Sequence, residues 1–144
     1  METQNYANHR RFVPMFHFVL FGIIVLSLIG SFVNLYHSIG DHQRLYSASL
    51  IVVIMVCLLL LFFFCREFPL KAQDRAIRAE ENLRHYVLAG KLLDPRLTVR
   101  QIIGLRFAAD EEFVALARRA AEEHLSEAEI KKAVKNWRAD NYRV

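Results

Sequence analysis

The chain has 144 residues, is 54% hydrophobic, carries a net charge of +4 and contains two cysteines. Its apolar residues crowd into the first 65 positions, whereas residues 66–144 hold 16 Lys and Arg against 13 Asp and Glu. So lopsided a distribution excludes an evenly patterned soluble globule and indicates a membrane anchor joined to a water-exposed module.

Residues 1–11 form a short basic N-terminal segment. The stretch "NHRRFVPMFHF" reads as a membrane-interface sequence. Arg10 and Arg11 can reach headgroups, Phe12 and Phe16 sit at the boundary, and Pro14 suits the first turn of a helix. Residues 12–36 make the first span, whose centre "FVLFGIIVLSLIGSFV" is uncharged. Its apolar run is longer than a leader core, and "VNLYHSIG" lacks a small-x-small cleavage pattern, so it reads as a retained helix. His17 lies about one turn inside. A haem would need a second axial ligand at that depth. Span two offers no His or Met near its inner end, so a bond to headgroup, water or the C-terminal module is expected for His17.

The loop 37–46 contains Arg44 opposed by Asp41. His37, Asp41 and His42 read as ordinary surface-loop residues, not metal ligands. Residues 47–65, "SASLIVVIMVCLLLLFFFC", form the second span, again without charge. Cys57 and Cys65 fall on this one helix, about 12 Å apart along its axis, too far for a bridge. Lipid supplies no hydrophobic drive between helices, so small and polar residues must pair them. Ser27, Gly30, Ser31 and Asn34 recur at three- and four-residue steps, and Ser47, Ala48 and Ser49 open span two at the same depth. These faces are expected to meet, with Asn34 finding a hydrogen-bond partner there and the helices closest near the loop.

Positive charge flanks the spans on one side. Arg10 and Arg11 precede the first; Arg66, Lys71, Arg75 and Arg78 follow the second. Both termini are therefore expected in the cytoplasm and the loop outside. The same six residues form a collar suited to anionic headgroups, worth about 1 kcal/mol per surface charge.

Residues 66–144 form the cytoplasmic module. Pro69 removes the helical hydrogen bond to Cys65, which predicts a kink or a restart at that point. On a helical wheel over 70–90, Ala76, Ala79, Leu83, Tyr86 and Val87 share one arc and are expected to face inward. Lys71, Asp74, Arg75, Arg78, Glu81 and His85 share the other, with Asp74–Arg78, Glu80–Arg84 and Glu81–His85 as surface pairs. Gly90 and Asp94-Pro95 mark a break. Thr98 with Gln101 is a capping box opening a short helix apolar on nearly every side: Val99, Ile102, Ile103, Leu105 and Phe107. Asp110 is expected to cap the next helix, with Phe113, Leu116, Ala117, Ala120, Ala121 and His124 inside. Ser126 with Glu129 is a second capping box, opening a helix expected to run through Trp137 to residue 142.

The sequence thus predicts an all-α membrane protein, a two-helix transmembrane hairpin plus a small helical module of about four helices. A core this small is marginal alone, so Ile102, Ile103, Phe107 and Trp137 are candidates to meet a partner.

The motifs "YANHRRFVPMFHF", "LKAQDRAIRAEENLR", "QIIGLRFAADEE" and "EIKKAVKNWRADNYRV" together resemble a domain-of-unknown-function family of small bacterial inner-membrane proteins. The resemblance covers essentially the whole chain. It implies a bacterial inner membrane, two spans and a cytoplasmic helical tail, and it brings neither an activity nor catalytic residues.

No catalytic, cofactor or metal residues are expected. The doublets Glu80-Glu81, Glu111-Glu112 and Glu122-Glu123 diverge on their helices. There is no Glu-x-x-His or His-Glu-x-x-His pattern, and no phosphate loop precedes Gly90-Lys91. The expected function is a non-enzymatic, membrane-anchored interaction module, a homo-oligomer or an accessory subunit of a larger membrane complex. Two alternatives are membrane-tethered nucleic-acid binding through Lys131, Lys132, Lys135 and Arg138, which is disfavoured by the flanking acids, and an anionic-lipid sensor acting through the collar.

Overall fold

A computed structural model describes residues 4–9 and 12–140. All regular elements are helical: a π-helical turn Met15–Leu20, then α1 Phe21–His37, α2 His42–Ala89, α3 Val99–Leu105, α4 Asp110–Glu122 and α5 Glu127–Ala133. The chain forms two compact units, Phe12–Phe68 on one hand and Met1–Arg11 with Pro69–Val144 on the other. Pro69 lies inside α2, so the helix neither ends nor restarts there, and the boundary between the units falls at this residue.

The first unit is a helical hairpin. Met15–His37 and His42–Ala89 both contain windows apolar enough to cross a bilayer, with mean hydropathy 2.4 and 3.2. Only 11% and 6% of those windows are buried, which is not how a soluble core helix behaves. Asp41 begins α2 as its cap: its Oδ1 accepts from the N–H groups of Gln43 and Arg44, both at 3.2 Å. Of the loop residues His37, Asp41 and His42, Asp41 is thus engaged in capping.

The hairpin pairs through a narrower seam than the small-residue pattern predicts. Ile24, Ser31, Ser38 and Ala48 are the buried positions. At the opposite end Phe16 and Phe62 stack with centroids 4.4 Å apart, and Phe21 meets Phe62 at 5.3 Å. Ser27, Gly30, Asn34 and Ser47 are exposed and Ser49 is half-buried. A Cβ on Gly30 would meet nothing within 4 Å, so no close approach depends on it. Nor do the serines reach across. Ser31 Oγ donates to Leu28 O at 2.7 Å, Ser49 Oγ to Tyr46 O at 2.7 Å and Ser47 Oγ to Gln43 O at 3.4 Å. A hydroxyl three or four residues beyond a helical carbonyl finds its acceptor within its own helix, and this local bond wins.

In the second unit α3, α4 and α5 pack on one another, and the C-terminal half of α2 joins them through Ile77, Arg84 and His85. Its core holds Ile77, Leu93, Leu97, Ile102, Ile103, Leu105, Phe113, Leu116 and Ile130. Both capping boxes are present, Thr98 with Gln101 and Ser126 with Glu129. Gly90, at φ +68°, turns the chain out of α2 in the left-handed region that glycine reaches without strain. Gly104 lets α3 and α5 approach: a Cβ there would lie 3.2 Å from Glu127 O and 3.2 Å from Ile130 Cγ2.

Three expectations for this unit are corrected. Asp110 does not cap α4; Ala109 occupies that position, and Asp110 is the first helical residue. His124 is exposed, with φ 52°, because α4 has ended at Glu122. The last helix stops at Ala133, and Trp137 lies in an extended segment instead. There Ala109 N–H donates to Asn136 O at 3.0 Å and Arg138 N–H to Phe107 O at 2.8 Å.

Three variants test the stability of the full chain in detergent. Ala48→Leu overfills a position only 1% exposed and should destabilise the hairpin by about 1–3 kcal/mol, whereas Gly30→Leu should leave its melting unchanged. Gly104→Val should destabilise the module by about 1–3 kcal/mol, as read by Trp137 fluorescence during denaturation.

Candidate functional site

The most elaborate chemistry in the chain lies where α2 meets α3 and α4. The wheel over 70–90 predicts the apolar arc inside, and the structure reverses it. Ile77, Glu81 and His85 are buried, while Leu83, Tyr86 and Val87 are 63%, 55% and 75% exposed.

Arg84 organises this polar seam. Its side chain is 10% exposed, Nη1 lies 3.0 Å from Glu81 Oε2 and Nε donates to Asp110 Oδ1 at 2.7 Å. Nη2 donates to Ala108 O at 2.7 Å, and the guanidinium carbon sits 4.2 Å above the Phe113 ring. All three nitrogens are therefore satisfied, over an aromatic face that suits a weakly hydrated cation. The surface pairs read from (i, i+4) spacing are overridden: Arg84 uses Glu81 and Asp110. His85 Nδ1 lies 2.6 Å from Lys91 O. Asn82 Oδ1 accepts from Leu93 N–H at 3.2 Å, tying the segment after Gly90 back onto α2.

Beside this seam is a cleft of about 240 Å³ lined by Gln73, Ala76, Ile77, Glu80, Glu81, Arg106, Arg138, Ala139 and Asp140. Arg106 is 10% exposed at its side chain, and Nη1 is 3.0 Å from Asp140 Oδ2. That contact is an ion pair without hydrogen-bond alignment, and Arg106 Nε and Nη1 are buried without a hydrogen-bond partner among the described residues. Burial pulls the Arg106 guanidinium below its usual value, opposed by Asp140. Burial pushes the Glu81 carboxyl above its ordinary 4.5, against the hydrogen bond and charge of Arg84 and the charge of Arg138.

Two side chains serve as backbone caps in ways that spacing does not reveal. Gln101 Nε2 donates to Ala120 O and Leu125 O, at 3.3 and 2.8 Å, so the residue that closes the cap of α3 also holds the end of α4. Glu112 accepts from the N–H groups of Lys135 and Asn136, with Oε1 at 3.1 and 2.9 Å. That carboxylate takes up amides beyond α5 and favours the extended turn over a longer helix. The N-terminal segment also docks on this unit. Gln4 Oε1 accepts from Asp140 N–H at 2.8 Å, and the His9 ring lies 5.8 Å from Phe107 and 5.9 Å from Trp137. The sequence reading treats residues 1–11 as membrane interface alone; nothing in their spacing points to the Phe107–Trp137 pair.

The residues expected to meet a partner are mostly covered by the chain itself. Ile102, Ile103 and Phe107 are 3%, 7% and 0% exposed, and Trp137 packs on Phe107 with centroids 4.9 Å apart. An apolar helix of seven residues needs neighbours, and α5 and α4 supply them. Of the collar, Lys71, Arg75 and Arg78 are exposed and Arg66 is half-buried, while Arg10 and Arg11 lie outside the described residues. Lys131 of the basic row is engaged by Glu127 at 2.5 Å. His17 is half-buried, with Nδ1 3.0 Å from Val13 O. Among the described residues no group of three or more His, Cys, Asp or Glu is placed to hold a metal.

The raised Glu81 carboxyl has a definite pH signature. The folded chain keeps that proton to higher pH than the unfolded chain does. As pH rises from the ordinary 4.5, the unfolded state ionises first, so stability falls until the folded carboxyl ionises too. Glu81→Gln removes this dependence. The stability of the native chain minus that of the variant should decline with pH above 4.5 and be flat below; a difference that rises with pH would show that Arg84 outweighs burial.

No curated protein and no solved structure matches the chain. A family model does, over residues 1–144, and its description is a family of unknown function, DUF6526. The four motifs that suggest a domain-of-unknown-function family thus sit inside a match that runs the full length, and the chain belongs to the DUF6526 family.

Proposed function

We propose that the chain is a non-enzymatic, membrane-anchored interaction protein of the bacterial inner membrane. The hairpin crosses the bilayer twice, both termini lie in the cytoplasm, and the helical module is carried there to hold partner subunits or further copies of itself. Anionic headgroups are met by Arg10, Arg11, Arg66, Lys71, Arg75 and Arg78.

The observation that carries this reading is the docking of residues 4–9 on the unit formed by the C-terminal half. Gln4 bonds Asp140, and His9 meets Phe107 and Trp137. A chain whose two ends share one compact unit must leave it and come back, and an even number of crossings does this. The returning segment is the apolar hairpin, with Leu26, Tyr36 and Ile39 each about two-thirds exposed or more. Lipid covers such surface and water does not. The basic flanks of both spans then select the cytoplasmic side.

The absence of catalysis in this proposal rests on how the buried charges are used. The Glu81 and Asp110 carboxylates are both engaged by Arg84, His85 is committed to a backbone carbonyl, and the acidic Glu112 is a cap. These groups hold the module to α2.

Alkaline carbonate washing of native membranes, paired with reporter fusions, tests the anchor. The chain should stay in the pellet, a cytoplasm-active reporter should work at the carboxyl terminus, and a periplasm-active one should work at Gly40. Release by carbonate, or a carboxyl-terminal reporter active only in the periplasm, would refute it.

A further inference from the structure

Resting on that membrane reading, we infer that the exposed face of α2 beyond Pro69 is a seam for a second copy of this chain, paired in parallel. The module's core uses Ile77, Glu81 and His85 of this helix and leaves the apolar arc uncovered. Ala72, Ala76, Ala79, Leu83 and Tyr86 are all exposed. Their spacing alternates four and three, the heptad repeat by which two helices interlock side by side.

The occupant is fixed by charge and by the bilayer. With Ala76 and Leu83 at the first core position of the heptad, Arg75 and Glu80 fall on the two flanks of the seam, and both are exposed. In a parallel, in-register pair the first flank of one helix faces the second flank five residues further on in its partner. Arg75 of one copy then opposes Glu80 of the second copy, and the two-fold axis repeats the pair on the other side. Two copies inserted by the same rule in one bilayer carry their modules on the same side of it. Confinement to that bilayer also raises their effective concentration, so a seam of this length suffices where it would be too short in solution.

Cysteine cross-linking of the full chain in native membranes tests the seam, with Cys57→Ala and Cys65→Ala as background. Leu83→Cys should form a dimer-sized band under mild oxidation, and Arg118→Cys, exposed on α4, should not. Arg75→Glu and Glu80→Arg should each lower the Leu83→Cys yield by about tenfold, by turning two attractions into two repulsions, and the double variant should restore it. A yield indifferent to these exchanges, equal cross-linking at Arg118→Cys, or a Leu83→Cys product containing a different chain would overturn the inference. A chain retained by carbonate washing but lacking the Leu83→Cys dimer refutes the seam alone; release by carbonate refutes the anchor and the parallel pairing with it.

Discussion

The module depends on one buried cation. Arg84 is the point at which α2, the start of α4 and the segment before it are joined, through Glu81, Asp110 and the Ala108 carbonyl. A guanidinium this deeply buried is costly unless its nitrogens find acceptors and its charge is opposed, and removing one partner of such a pair typically costs about 3–5 kcal/mol. Here Phe113 beneath the guanidinium plane and the acceptors around its edge meet that condition. Once Arg84 is fixed, Ile77, Glu81 and His85 must face the core, being its neighbours on the same arc. The orientation of the whole helix about its axis follows.

That constraint explains where sequence reasoning succeeded and where it failed. Local signals were legible because they are closed over three or four residues. Both capping boxes, the Gly90 exit and the apolar hairpin needed no knowledge of distant contacts. The inward face of α2 was not legible, since hydrophobic periodicity assigns Leu83, Tyr86 and Val87 to the core. Only the long-range partners of Arg84, 24 and 26 residues away, make the polar arc the buried one. The end of α5 failed for the same reason. Helix propensity alone carries "EAEIKKAVKNWRAD" onward, but Glu112, 23 residues earlier, takes the amides of Lys135 and Asn136.

The small core is economical with polar groups for a related reason. A module of this size buries little apolar surface, so each helix end left without a partner weighs heavily. Gln101 serves two helices, closing the first turn of α3 and donating to the Ala120 carbonyl of α4 and the Leu125 carbonyl just beyond it. Glu112 lies in the first turn of α4, where the dipole favours an acid, and caps the chain after α5 as well. Residues 4–9 add the His9 ring to the Phe107–Trp137 pair, so the N-terminus contributes to a core otherwise built entirely from the C-terminal half.

The inverted helix also bears on what the module is for. An amphipathic helix that turned Leu83, Tyr86 and Val87 inward would bury more apolar surface for its own unit and avoid desolvating Arg84 and Glu81. The fold forgoes that, and the same three side chains remain outside. Burying a hydrogen-bonded ion pair costs far less than burying a lone charge, so Arg84 limits the cost that burial imposes on Glu81. Exposing a contiguous apolar arc in water, by contrast, is unfavourable until something covers it. The two facts together place the gain outside the isolated chain: the polar seam holds α2 in position, and the apolar arc becomes available to a neighbour. In the proposed parallel pair, a second copy covers that arc and sets its Glu80 opposite Arg75.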